Sequence, residues 1–162
     1  MKSSNRFALL ATVVVALSSL SSVAMAASVS GTANAQVLAP IAITAGANLN
    51  FGTIAGNTAG TVIISTGGVR SFTGGVVGTS AAVAAGVFNV TGTGNATFAI
   101  TYPGSFNVVN GANTMAVTVN GATTGTLAGG AVSFPVGGTL TVGAAQAAGA
   151  YVGTYSMTVE YN

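Results

Sequence analysis

The sequence contains no cysteine and no histidine, and its 162 residues include only three basic side chains and one acidic side chain. Without cysteine the chain cannot form a disulfide, even in an oxidising compartment. With a single carboxylate, Glu160, it also lacks a second group for paired acid–base catalysis and the ligands for a metal cluster. Its serines and threonines have no base to activate them, and no phosphate-binding glycine motif is present. These absences predict a protein that is not an enzyme and binds no cofactor or metal.

The few charges are also unevenly placed. Lys2 and Arg6 lie at the N-terminus, so Arg70 and Glu160 are the only charged side chains in residues 27–162, and their charges cancel. A surface with so little charge favours association with other protein over colloidal stability. It offers no basic patch for nucleic acid. Arg70 stands beside a glycine turn, where we expect it to be solvated.

The N-terminal segment has the pattern of a secretory signal peptide. Lys2 and Arg6 precede an apolar run from Phe7 to Leu17, and Ala24-Met25-Ala26 supplies small residues for cleavage after Ala26. The apolar run is shorter than the roughly 20 residues that a membrane-spanning helix needs. The pattern predicts an exported protein whose residues 27–162 form a single domain.

Apolar and polar residues alternate along residues 151–162, which is typical of a β-strand with one buried face. Gly149 stands just before this segment and Glu160 falls on its wetter face. We interpret the segment as a sheet edge available for strand addition. Tyrosines on such a face are predicted to be core residues, and a sugar-stacking face is the alternative. The predicted buried face carries Tyr151, Gly153, Tyr155, Met157, Val159 and Tyr161.

A second alternating stretch, residues 28–37, precedes Pro40, which cannot donate to a ladder and predicts a bend. We call residues 28–37 the leader and predict that it forms a strand. Its apolar face is built of small residues and buries little area. That face carries Val29, Gly31, Ala33, Ala35 and Val37.

The rest of the chain contains short alternating runs separated by turn signals, and nothing from Ala27 onward has a helical period. Asn110-Gly111 and Asn120-Gly121 bracket the run Met115–Val119, and Asn-Gly is a strong hairpin signal. Residues 87–91 and 96–102 are predicted to pair as a hairpin. The pattern predicts an all-β protein, an antiparallel immunoglobulin-like sandwich of seven to nine strands.

Four segments carry a resemblance to a known family: Leu38–Thr44, Leu49–Ile54, Gly138–Gly143 and Gly149–Tyr155. Together they resemble the secreted bacterial family called domain of unknown function 4402. This resemblance spans nearly all of residues 27–162. It implies an exported bacterial protein and assigns no chemistry.

The end of the chain is also similar to the chaperone–usher pilins, including the spore-coat-U-like type, because Tyr161 is penultimate and Gly149 precedes the last strand. This similarity implies a sandwich that lacks one strand. A periplasmic chaperone would fill the gap first, and a neighbour's N-terminal extension would fill it after delivery to an outer-membrane usher. The leader would be that extension, and the location would run from the periplasm to the surface of a Gram-negative cell. Such pilins usually carry a disulfide, which this chain cannot form.

These observations favour a structural subunit of a bacterial surface fibre or coat, with further copies of itself as the main partner. One alternative is a self-contained surface sandwich that binds a ligand such as carbohydrate. Another is a small outer-membrane β-barrel, although Asn162 replaces the terminal aromatic residue expected there and charges to line a polar interior are missing.

Overall fold

The computed structural model describes residues 25–80 and 82–162. The predicted signal-peptide features from Lys2 to Leu17 lie outside the described residues. Within the described part of the chain, no helix is long and apolar enough to cross a membrane.

The described residues form an antiparallel all-β structure, which confirms the predicted fold class and its sandwich-like arrangement. The strands number twelve rather than seven to nine, because short strands also form in glycine-rich segments without a clear period. One 3-10 turn lies at Ala128–Gly130. The strands are β1 (Ala42–Ala47), β2 (Thr53–Ala55), β3 (Gly60–Ile64), β4 (Arg70–Gly74), β5 (Val77–Ser80), β6 (Gly86–Thr91), β7 (Thr97–Thr101), β8 (Phe106–Asn110), β9 (Asn113–Gly121), β10 (Thr124–Thr126), β11 (Ala131–Val142) and β12 (Thr158–Tyr161).

The long strand β11 is the centre of a seven-stranded sheet. Its first half pairs with β6, and β1 lies beyond β6. Its second half pairs with β3 and β9, which carry β4 and β8 as their outer neighbours. The change of partner falls at Gly137 and Gly138. A Cβ on Gly137 would lie 2.5 Å from the carbonyl oxygen of Ile64, so the close approach of β3 requires glycine there.

A three-stranded sheet, in the order β10-β7-β12, packs over the first half of β11, and β2 pairs with β5 separately. The predicted hairpin between residues 87–91 and 96–102 is therefore wrong: β6 and β7 belong to different sheets. The loop between them crosses the sandwich, because Val90 and Phe98 are both fully buried in the core between the two sheets.

The buried apolar side chains form two clusters. The first lies between the two sheets, around Phe98, Leu127 and Val136. The second lies on the same face of the seven-stranded sheet, around Val62, Val117 and Leu140. Period-two alternation places these side chains inward, as the buried Met115, Val117 and Val119 of β9 show.

The chain divides into two units, residues 1–35 and residues 36–162, and the second unit contains all twelve strands. In the described part of the first unit, residues 25–35 are exposed and carry no strand. Gln36 and Val37 are likewise exposed and unpaired. The predicted leader strand is thus not formed within the described chain, because its main chain has no ladder partner there.

The predicted C-terminal strand is shorter than expected. Only Thr158–Tyr161 is regular, and it pairs with β7. Val152 instead forms an isolated bridge with Val109 of β8, in the seven-stranded sheet. Between these two pairings the segment passes from the larger sheet to the smaller one. The predicted alternation is nevertheless confirmed at the tyrosines, Met157 and Val159, whereas Gly153 is exposed.

Candidate functional site

An open apolar groove of about 840 Å³ lies over the second half of the seven-stranded sheet. Residues 45–54 form one wall and residues 149–155 form the other. The side chains of β8, β9 and β11 beneath them form the floor. Its main apolar side chains are Leu49, Phe51, Ile54, Phe88, Phe106, Val108, Met115, Leu140, Tyr151, Val152 and Tyr155.

The groove exists because the two sheets differ in extent. The three-stranded sheet covers the first core cluster, where Val159 of β12 packs. The second cluster is covered instead by irregular chain, with Leu49, Phe51 and Tyr151 packed against it. One half of the large sheet is therefore closed by a partner sheet, and the other half is closed only in part.

Aromatic side chains line the inner end of the groove. The ring of Tyr155 stacks on Phe106 with centroids 5.0 Å apart and meets Phe88 edge-on at 5.8 Å. Phe88 in turn stacks on Phe134 at 6.0 Å. Burial raises the pKa of the Tyr155 hydroxyl, so that group stays neutral at physiological pH. This end of the groove is lined by packed aromatic rings and carries no charge among the described residues.

Apart from the ladders of β1 with β6 and β2 with β5, the walls are held by few main-chain bonds. Asn50 exchanges two bonds with Ala84, of 2.9 and 3.0 Å, and Val152 exchanges two with Val109, of 2.9 and 3.1 Å. Among the described residues, Val152 is the only one between 149 and 155 whose main chain pairs with another strand. The other peptide groups of this wall make no main-chain bond to another strand among the described residues.

Arg70 is hydrogen-bonded to the wall formed by residues 45–54. Its Nη1 donates to the carbonyl oxygen of Phe51 at 3.1 Å, and its guanidinium lies 5.0 Å from the ring centroid of Phe72. The prediction that Arg70 is simply solvated is therefore wrong, because its head group lies against β4 and the wall. Among the described residues, no charged side chain lines the groove.

The residues predicted as a strand-addition edge lie in two different places: some line the groove and others pack in the first core cluster. Gly149, Tyr151 and Tyr155 line the groove, and the Tyr151 hydroxyl donates to the Ala147 carbonyl oxygen at 2.8 Å. Met157 and Val159 pack into the first core cluster. Sequence reasoning did not identify the floor, although the alternation of Phe106 with Val108 was a usable signal.

Tyr161 lies outside the groove and hydrogen-bonds to Ala39, near the start of the sandwich domain. Its hydroxyl accepts a bond from the Thr93 N–H at 2.7 Å and donates to the Ala39 carbonyl oxygen at 2.8 Å. The Ala39 N–H donates to Thr93 Oγ1 at 2.7 Å, which closes the arrangement. The chain therefore enters the sandwich at a fixed point beside Thr93.

Replacing Tyr161 with phenylalanine is expected to lower the free energy of unfolding by about 1–2 kcal/mol, because both hydrogen bonds of the hydroxyl are lost. Urea unfolding followed by circular dichroism measures the change. Tyr102→Phe is the control, since that hydroxyl makes one bond, to Ala122. A smaller loss in Tyr161→Phe than in the control would contradict the importance of this contact.

Comparison with known proteins gives one match. Neither the curated proteins nor the solved structures contain a match to this chain. A family model described as "Domain of unknown function (DUF4402)" matches residues 41–161, from the residue before β1 to the last residue of β12. This range covers the whole sandwich and both walls of the groove, and the chain therefore belongs to the DUF4402 family.

Proposed function

We propose that this protein is a non-enzymatic structural subunit of a bacterial surface fibre or coat, and that it assembles with copies of itself by β-strand addition. One observation carries the proposal: the same chain has an unpaired, alternating leader and a sandwich with one half incompletely covered. Within the described chain the leader has no strand partner, and the sandwich has a half that no partner sheet covers. Export through the periplasm, a chaperone that shields the groove and an usher that delivers subunits belong to the same proposal.

The leader is suited to pairing with another chain. Val29 and Val37 are 97% and 93% exposed, so the leader buries almost none of its apolar side chains in the isolated chain. An added strand gains affinity from main-chain bonds and specificity from alternate side chains. The absence of net charge over residues 27–162 removes repulsion between copies.

The chemistry of the side chains supports a structural role. Glu160, the single carboxylate side chain, is exposed on β12 and lies outside the groove. The groove offers aromatic and aliphatic surfaces with a few amide and hydroxyl groups, which suit binding rather than proton transfer.

Deleting residues 28–37 from the full chain is expected to abolish filaments and leave the domain folded, because these residues belong to no strand. Size-exclusion chromatography with light scattering measures the mass, and negative-stain microscopy shows the filaments. The urea midpoint should be unchanged. A chain whose leader is replaced by a Gly-Ser segment of equal length is the control for length alone.

Filaments that persist in the deletion variant would contradict strand addition by the leader. An intact protein that stays monomeric at every concentration would contradict the structural role itself.

A second candidate is a self-contained surface module that binds carbohydrate. The rings of Tyr151 and Tyr155 beside the side chains of Asn48 and Asn50 favour it, because sugars stack on aromatic faces and bond to amides. A stable monomer that binds glycans on an array, with binding lost in Tyr151→Ala, would support this function instead.

A further inference from the structure

The tetrapeptide Val-Asn-Gly-Ala occurs twice in the chain, at residues 109–112 and at residues 119–122. An asparagine that precedes glycine is open to attack by its own main chain, because the glycine nitrogen has no Cβ beside it to block the approach. Since the two copies are identical in sequence, a difference in their reactivity must come from the fold.

The first copy lies at an open hairpin turn. Asn110 is the last residue of β8 and pairs with Asn113 at the start of β9, which leaves Gly111 and Ala112 as a two-residue loop. Gly111 is exposed and has a φ of 58°, and a Cβ built on it would meet nothing within 4 Å. Its peptide can therefore turn toward the Asn110 side chain without breaking a ladder pair or displacing a neighbour.

The second copy is held in the sheet. Asn120 and Gly121 end β9 and pair with Gly137 and Val136 of β11. A Cβ built on Gly121 would collide with the Tyr102 hydroxyl, so the space around this glycine is filled. The Gly121 nitrogen cannot turn toward the Asn120 side chain unless the end of β9 first leaves β11.

The Asn110 side chain also contacts the groove wall that contains Val152. Its Nδ2 donates to the Ala148 carbonyl oxygen at 3.3 Å. A Cβ built on Gly149 would collide with the same amide group, so the amide lies directly against the main chain there. The adjacent Val109 exchanges two main-chain bonds with Val152. The attachment of this wall to β8 therefore lies beside the Asn110 amide.

We infer that Asn110 is a site of spontaneous deamidation, and that its conversion loosens the groove wall beside it. The Gly111 nitrogen gives up its proton and bonds to Cγ of Asn110, and the Cγ–Nδ2 bond breaks as ammonia leaves with that proton. Water then opens the cyclic imide at either of its carbonyl groups and yields aspartate or isoaspartate. Water is the only co-reactant, and the reaction does not depend on the proposed function.

Both products change the contact with the wall. A carboxylate cannot donate to the Ala148 carbonyl oxygen, and two acceptor oxygens then face each other. It also adds a negative charge to residues 27–162, where Arg70 and Glu160 cancel. Isoaspartate in addition lengthens the main chain by one carbon at the position that pairs with Asn113. We therefore expect the wall to open locally more often after conversion.

Incubation of the full chain at mildly alkaline pH tests the site, because the attacking nitrogen must lose its proton. Peptide mass spectrometry follows acid formation at each tetrapeptide, and isoaspartyl methyltransferase detects isoaspartate. Conversion at Asn110 is expected to be at least about ten-fold faster than at Asn120, where the strand must open first. In concentrated urea the two rates should converge, since the sequences are identical. Equal rates in the folded protein, or a faster rate at Asn120, would overturn the site.

Two variants test the effect on the wall. Asn110→Asp reproduces one product, whereas Asn110→Gln keeps a neutral amide and cannot form the five-membered imide. Amide hydrogen exchange at Val109 and Val152 is expected to be at least about three-fold faster in Asn110→Asp than in Asn110→Gln, because one hydrogen bond to the wall is lost. The parent chain before and after incubation gives the same comparison without a substitution. Unchanged exchange in both comparisons would overturn the effect on the wall.

Discussion

Replacing Phe98 with alanine is expected to lower the free energy of unfolding by about 3–5 kcal/mol. Phe98 is fully buried on β7, the middle strand of the smaller sheet, and lies in the first core cluster. A Cβ on Gly125 of β10 would lie 2.5 Å from the Phe98 ring, so the neighbouring strand already packs closely against it. A truncated side chain would leave a cavity between two sheets held apart by their other contacts.

Urea unfolding of the two proteins measures this change, and Phe72→Ala is the matched control. Phe72 lies on β4 at the edge of the larger sheet and is 36% exposed, so its truncation should cost clearly less. A domain of this size has a total stability of about 5–15 kcal/mol, and the Phe98 variant is therefore expected to be partly unfolded at 37 °C. Equal losses in the two variants would contradict the assignment of the core between the sheets.

Replacing Gly137 with valine is expected to lower the free energy of unfolding by about 3 kcal/mol through overpacking. Gly137 lies where β3 replaces β6 on one edge of β11, while β9 pairs along the other edge. Its Cβ would lie 2.5 Å from the Ile64 carbonyl oxygen and 2.6 Å from Asn120 Oδ1. The carbonyl group is main chain and cannot move without breaking the ladder between β3 and β11.

Urea unfolding and size-exclusion chromatography report the effect of Gly137→Val, and Thr139→Val is the control on the same strand. Thr139 already has a branched Cβ and is half-buried, so valine should be accepted with little change. A Gly137 variant as stable as the control would show that β3 does not need the close approach, and would contradict this account of how β11 changes partners.

Several features of the fold were predictable because they depend on neighbours in sequence. The inward residues of β9 and the half-buried tyrosines of the last segment follow from side chains alternating between faces. The all-β class follows from the same period. The lack of charge in the groove also follows from the composition, although the groove itself was not predicted.

Other features were not predictable because they depend on which distant strands meet. Residues 87–91 and 96–102 have a suitable turn between them, yet burial of Val90 and Phe98 in one core places their strands in opposite sheets. The last segment alternates without interruption, yet Val152 pairs with β8 and Val159 packs beside β7. Alternation determines which face is buried but does not determine the partner strand.

The sequence by itself determined the all-β class, the buried face of most strands and the near absence of charge. Only the tertiary structure decided that irregular chain, and not a partner sheet, covers one half of the large sheet, and that the Tyr161 hydroxyl donates to the Ala39 carbonyl oxygen. The reason is physical. Periodicity is a property of adjacent residues, whereas the partly covered half of the large sheet arises from the unequal extent of two sheets whose strands are far apart in the chain.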